Sequence, residues 1–211
     1  MMCTWPDVAY PVSVLSRYVA PGRFIDLHWK AAKWMLHHLQ GTKSHVLTFG
    51  GLSPTLEGYS DFSWADDQTD QRSSQGYCFT LGSGVVSWRS TRSSAVSLSS
   101  NEAEIYAETM AAQDAHWCTF LLQELGYPQP APTLWCDYKG AIHLSQDPVF
   151  YTRSKHIELR HFFIHDLVQR DQLKVEYVAS DCNLADLFTK PLGKVPHYCL
   201  LGSMGLCAPL S

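Results

Sequence analysis

One long amphipathic helix, from Ser99 to Leu125, constrains the fold of this chain more than any other stretch, because strand-like runs stand on both sides of it. Before it come Leu56–Trp64, Gly76–Leu81 and Val85–Arg89, and the last two flank Gly82-Ser83-Gly84, a hairpin signal. Gly126 and Pro128 then stop the helix, and Thr133–Cys136 follows as a short apolar run bounded by prolines, the pattern of a buried strand. A helix over Ser154–Arg170, an alternating strand over Leu173–Val178 and a last helix that starts at Leu184–Phe188 and breaks at Pro191 complete the order. Antiparallel strands followed by helical crossovers to further strands require a mixed sheet with helices over its faces. Ligands of such sheets collect beyond the carboxyl ends of the strands.

Upstream, Pro6–Tyr18 and Phe24–Gln40 read as two helices around the breaker Ala20-Pro21-Gly22-Arg23, and His45–Phe49 as a strand. In the second helix Trp29, Ala32, Leu36 and Leu39 form an apolar stripe, expected to be a packing face. Lys139–Ser145 reads as a short helix. At 211 residues the chain holds one domain with a sizeable core, plus an appendage. Seven cysteines, an odd number with no C-x-x-C pair, exclude a disulfide framework and a zinc ribbon. Reduced thiols, with no apolar run long enough to span a bilayer and no secretory signal pattern, lead us to expect a soluble protein inside the cell, cytoplasmic or nuclear, with no membrane partner. The formal charge of −4 gives no basic footprint, but Gln71 to Asn101 holds no acid and contains Arg72, Arg89 and Arg92.

Carboxylates carry the chemistry. Ser99 and Glu102 stand in a capping-box relation, which occupies Glu102 with the helix start. Glu104 heads the face formed by Ala107, Ala111, Cys118, Leu121, Leu122 and Leu125, where a carboxylate is costly unless charge meets it. Fraying to solvent in the first turn is the other reading. Asp61 lies in an aromatic-rich strand, Asp137 where a buried strand stops, and Asp186 at the start of the last helix. Each alone has a plain structural explanation; a cluster of them persists only where cations or protons compensate. Two Mg²⁺ ions would do so, since magnesium takes oxygen ligands and a metal pair serves in-line phosphoryl displacement. His161 and His165, one turn apart, lack an evident third ligand for a metal.

The segments Gly58–Trp64, Ser87–Ser90, Leu98–Glu104, Trp135–Asp137, Ser154–His161 and Leu184–Leu192 resemble, in order and spacing, the successive motifs of the ribonuclease H domain of copia-type retrotransposon reverse transcriptases. Pro6–Tyr10 and Leu39–Thr42 are similar to the segment that joins polymerase to ribonuclease H in that family. The resemblance implies an α/β, ribonuclease H-like mixed five-stranded sheet with helices on both faces, plus an N-terminal helical segment. It divides the chain into a connection-like segment over 1–43, a ribonuclease H-like domain over 44–192 and a tail over 193–211.

It further implies a divalent-metal endonuclease that cuts the RNA strand of an RNA/DNA hybrid, with Asp61, Glu104, Asp137 and Asp186 as catalytic and metal-binding residues. Asp61, helped by Asp137, would bridge two Mg²⁺ ions, with Mn²⁺ as a substitute, while Glu104 and Asp186 each serve mainly one. Ser100 and Asn101 are candidates for reading 2′-hydroxyls, and Arg72, Arg89, Arg92, Lys155 and Arg160 for phosphate contacts. The partners implied are the hybrid and the polymerase part of a reverse transcriptase. The chain departs from the family at Ser63, where a second acid is usual, at Tyr138, where Asn is usual, and in the short loop Ala179–Asn183, which lacks the histidine of bacterial-type enzymes. Two alternatives follow: a catalytically silent remnant that binds nucleic acid or a polymerase partner, and, ranked below it, an integrase or transposase, whose glutamate follows two aspartates where Glu104 here lies between Asp61 and Asp137.

Overall fold

The computed structural model describes residues 4–50, 54–63, 72–93, 100–137 and 155–208, with the side chains of 100, 101 and 155–158 outside the description. The predicted helix Lys139–Ser145, the Ser99 cap and Tyr138 lie outside the described residues. A 3₁₀ turn (Pro6–Val8) leads into α1 (Ala9–Ser16) and α2 (Asp26–Gly41), and β1 (Val46–Leu47) follows. Next come β2 (Leu56–Ser63), β3 (Ser74–Leu81), β4 (Gly84–Arg92), α3 (Ser100–Glu124) and β5 (Thr133–Cys136). The chain continues with α4 (Lys155–Gln169), β6 (Lys174–Tyr177), the 3₁₀ segments Ser180–Cys182 and Leu184–Phe188, α5 (Lys194–Ser203) and β7 (Leu206–Cys207).

Five strands form one mixed sheet in the order β4-β3-β2-β5-β6. The hairpin β3–β4 closes at Gly82 and Ser83, both at positive φ (57° and 65°), the backbone that a two-residue turn between right-twisted strands requires. Strands β2 and β5 are parallel, as are β5 and β6, so these three end on the same side of the sheet. Because β3 runs opposite to β2 and β4 opposite to β3, β4 ends there too, and α3 begins at that carboxyl edge.

Helices cover both faces, as expected. On one, Ala111, Ala112, Ala115 and Cys118 of α3 and Ile164 and Leu167 of α4 pack on Leu56, Tyr77, Phe79, Leu134 and Val175 of the sheet. On the other, Cys78 and Val85 meet Ala9 of α1, Leu184, Leu187 and Phe188 of the 3₁₀ segment, and Leu200, Leu201 and Met204 around α5. Burial of a side chain such as Leu134, fully enclosed, contributes about 1.5–3 kcal/mol. Residues after Gly193, where the sequence shows no motif, therefore supply part of a core, and β7 pairs with β1 in a separate two-stranded ribbon. The strand expected over His45–Phe49 shrinks to Val46–Leu47, because among the described residues the strand it pairs with is that two-residue β7.

Two apolar stripes are corrected. No residue of α2 is buried, and Trp29 and Leu36 of its predicted packing face are 51% and 54% exposed. The inward face of α3 holds through Cys118, and Leu122 still packs on the core, but Leu121 and Leu125 emerge at 39% and 61% exposure. In α4, Ile164 and Leu167 are buried but Phe162 is exposed.

Candidate metal centre and nucleic-acid face

Strand register brings the first two acids together. Tyr59 of β2 lies beside Trp135 of β5, so Asp61 and Asp137, each two residues further on, leave neighbouring parallel strands at the same level. The 3₁₀ segment Leu184–Phe188 adds Asp186 from across the carboxyl edge. Ligand oxygens of Asp61, Asp137 and Asp186 all lie within 4.8 Å of one another. This is the one such group of three or more metal-ligating side chains among the described residues. Glu104 stands outside that set yet is buried on α3 at the same edge and feels the charges of Asp61 and Asp137. His161 and His165 stack with ring centroids 6.2 Å apart, and no third ligand joins them among the described residues.

Buried acids of like sign suppress each other's ionisation. Burial, opposed by Lys190 and reinforced by Asp186 and Asp137, pushes Asp61 up to about 7. Burial, then Glu108, Asp61 and Asp137, pushes Glu104 up to about 10. Asp186 is raised by burial despite its hydrogen bond with Lys190. One turn behind Glu104, the fully enclosed Glu108 is raised to about 8 by burial despite a hydrogen bond with Cys136, and its Oε1 meets no hydrogen-bond partner among the described residues. A set of hard oxygen donors that resists ionisation without a cation fits a divalent ion of the magnesium type.

Contacts that the sequence reading did not assign hold these carboxylates in place. Lys190 Nζ lies 2.9 Å from Asp186 Oδ1 and 3.6 Å from Asp61 Oδ2. The Thr189 hydroxyl donates to Asp61 Oδ2, and Ser180 Oγ donates to Asp137 Oδ2 at 2.7 Å. Asn183, fully enclosed, donates from Nδ2 to the Ser60 carbonyl at 3.0 Å and accepts from the Ala185 N–H at 3.1 Å, tying the 3₁₀ segment to β2. Gly76, opposite Asp61 in the β2–β3 register, leaves the space into which Phe188 and Thr189 press. The one local signal for any of this is the four-residue spacing of Asp186 and Lys190, that of a helical ion pair.

The predicted nucleic-acid contacts fall around this edge. Arg92 pairs in register with Ser74, and Arg72 lies two residues before that position, so both lie at the end of the β3–β4 hairpin nearest Asp61. Arg89, exposed, lies across from Tyr77 and hydrogen-bonds to it. The guanidinium of Arg160 stacks 4.1 Å from the ring centroid of Tyr106, two residues past Glu104. Ser100 and Asn101 occupy the first turn of α3 and Lys155 opens α4, with their side chains outside the described set.

A five-stranded mixed sheet in this strand order, with helices on both faces, defines the ribonuclease H fold. A solved relative of that fold, the ribonuclease H1 LC11 isolated from compost, superposes with a TM-score of 0.50 at 16% identity, over 64% of this chain and 93% of its own. No protein-family model matches the chain. It is 41% identical over 90% of its length to the retrovirus-related Pol polyprotein of tobacco transposon TNT 1-94, and 39% identical over 91% to that of Arabidopsis transposon RE2. The chain belongs with the Pol polyproteins of copia-type plant transposons, as a segment with the ribonuclease H fold. It spans only 14% and 13% of those two relatives.

Proposed function

We propose that this chain is a divalent-metal-dependent endonuclease that hydrolyses the RNA strand of RNA/DNA hybrids, as part of, or derived from, a retrotransposon reverse transcriptase. The observation that carries the reading is the convergence of Asp61, Asp137 and Asp186 within 4.8 Å at the carboxyl edge of a ribonuclease H sheet, with buried Glu104 beside them. These four residues would hold a pair of Mg²⁺ or Mn²⁺ ions. Such a pair, when bound, activates water and stabilises the leaving oxygen of a phosphodiester. The protein's own part is to place oxygen donors and exclude bulk water from them. Arg72, Arg89, Arg92, Lys155 and Arg160 neutralise hybrid phosphates, and Ser100 and Asn101 meet the minor groove that displays 2′-hydroxyls.

The reading extends to setting: a connection-like segment over 1–43 serves a polymerase partner inside the cell, cytoplasmic or nuclear. An α2 without buried residues, with Trp34 75% exposed, supports such a partner. Among the described residues no helix is long and apolar enough to cross a membrane. The same exposed helix favours the second reading, a silent remnant that binds a polymerase partner. Cleavage of a labelled hybrid in Mg²⁺ or Mn²⁺ separates the two. We expect RNA-strand cleavage that Asp61→Asn and Glu104→Gln abolish. No cleavage in either metal, or cleavage unaffected by both substitutions, overturns the nuclease reading.

A further inference from the structure

We propose that Ser180 and Thr189 are positioning residues for this centre, and that the Lys190 ammonium competes with divalent cations for the carboxylates it touches. The inference rests on the reading of the site as a divalent-cation centre and says how this chain loads it.

A carboxylate at the end of a strand can rotate, and a rotating ligand binds a cation poorly because its order is lost on binding. Here one oxygen of each strand acid is already held: Asp137 Oδ2 accepts from Ser180 Oγ at 2.7 Å, and Asp61 Oδ2 accepts from the Thr189 hydroxyl. These bonds orient the remaining oxygens. Thr189 is fully enclosed, so its hydroxyl has no water to turn to. Both donors come from one stretch of chain, residues 180–190, which also carries Asp186 and which Asn183 anchors to the backbone of β2. A single segment therefore supplies one of the four proposed ligands and orients two more, Asp61 and Asp137.

Lys190 acts with the opposite sign. Its ammonium pairs with Asp186 and Asp61 at 2.9 Å and 3.6 Å, and among the described residues it is the cation in direct contact with the cluster. A point charge on a flexible stem is a tethered counter-ion. It holds the acids together before a metal arrives, and a dication that takes the same oxygens must repel or displace it. With its side chain 33% exposed, Lys190 has solvent to swing into.

Opposite signs make the test discriminating. Isothermal titration of the folded full chain with Mn²⁺, without nucleic acid, reads affinity independently of turnover. Lys190→Met is expected to tighten Mn²⁺ binding about tenfold, with Lys190→Gln as a second neutral replacement should the first fold poorly, and Lys190→Arg is expected to stay near wild type. Thr189→Val and Ser180→Ala are expected to weaken it by about 10-fold, and Thr189→Ser to restore it. Mn²⁺ binding to the wild type together with unchanged or weaker binding in both neutral Lys190 variants overturns the competition; unchanged binding in Thr189→Val and Ser180→Ala overturns the positioning role. Either leaves the nuclease reading standing. Absence of Mn²⁺ binding to the wild type overturns the divalent-cation reading and this inference with it.

Discussion

Gly76→Ala probes the joint on which the site is assembled. A Cβ at Gly76 would lie 2.6 Å from Phe188 Cβ, 2.9 Å from Thr189 Cγ2 and 3.1 Å from the Phe188 carbonyl carbon. Carbon atoms rest about 3.5–4.0 Å apart, so the segment must retreat by about 1 Å. Phe188 and Thr189 are both fully enclosed and cannot swing into water, so the strain falls on the backbone that carries Asp186. Overpacking of this kind costs about 1–3 kcal/mol. The same retreat parts Asp186, Thr189 and Lys190 from Asp61, and a misplacement of about 1 Å in a catalytic constellation costs about 100-fold in rate. Urea unfolding and hybrid cleavage measured side by side read both consequences. Gly202→Ala, in α5 with nothing within 4 Å of the added atom, is the control and should gain about 0.5–1 kcal/mol as a helical alanine. A Gly76→Ala protein with wild-type stability and cleavage would refute the close approach.

Two further outcomes follow from the buried groups. Folded-state pKa values for Asp61 (about 7), Glu108 (about 8) and Glu104 (about 10) stand above those of the unfolded chain, so the folded protein holds extra protons between pH ~4 and those values. The stability these groups contribute in EDTA should therefore be fully present near pH ~4 and fall by several kcal/mol by pH ~8, with a divalent cation restoring it; a urea midpoint that stays flat or rises over that range would contradict this. Asn183→Ala leaves the Ser60 carbonyl and the Ala185 N–H without their side-chain partner in an enclosed place and should cost about 2–4 kcal/mol, together with cleavage; denaturation at the wild-type midpoint would show the segment anchored by other means.

Much of the frame was legible in the chain. Alternation in β2 to β4, the Gly82-Ser83 turn and the proline-bounded β5 are local signals, and strand length with turn chemistry reports them faithfully. Glu104 was separable from Glu102 because helical periodicity assigns faces, and its burial agrees with that face. Periodicity misled where no partner lies beneath the stripe. Trp29 and Leu36 of α2, and Leu121 and Leu125 of α3, have the right spacing and little in the described chain to bury them. A stripe states that an apolar face exists, not what covers it. The contacts that orient the carboxylates were hidden for another reason. Asp61 meets Thr189, Asp137 meets Ser180 and Gly76 admits Phe188 across long chain separations, and such tertiary pairs leave no local pattern. Residues after Gly193 were silent likewise, since Leu200, Leu201 and Met204 become core only against Phe188 and Val85.

The central claim is that Asp61, Glu104, Asp137 and Asp186 together hold divalent metal against a scissile phosphate. Anomalous diffraction from crystals of the chain with an RNA/DNA hybrid and Mn²⁺ tests it directly. The account predicts manganese within ligand distance of Asp61, Asp137 and Asp186, two ions that share Asp61 with Glu104 on one of them, and the RNA backbone lying across the pair. Manganese absent from Asp61 while the hybrid is bound elsewhere on the surface would contradict it.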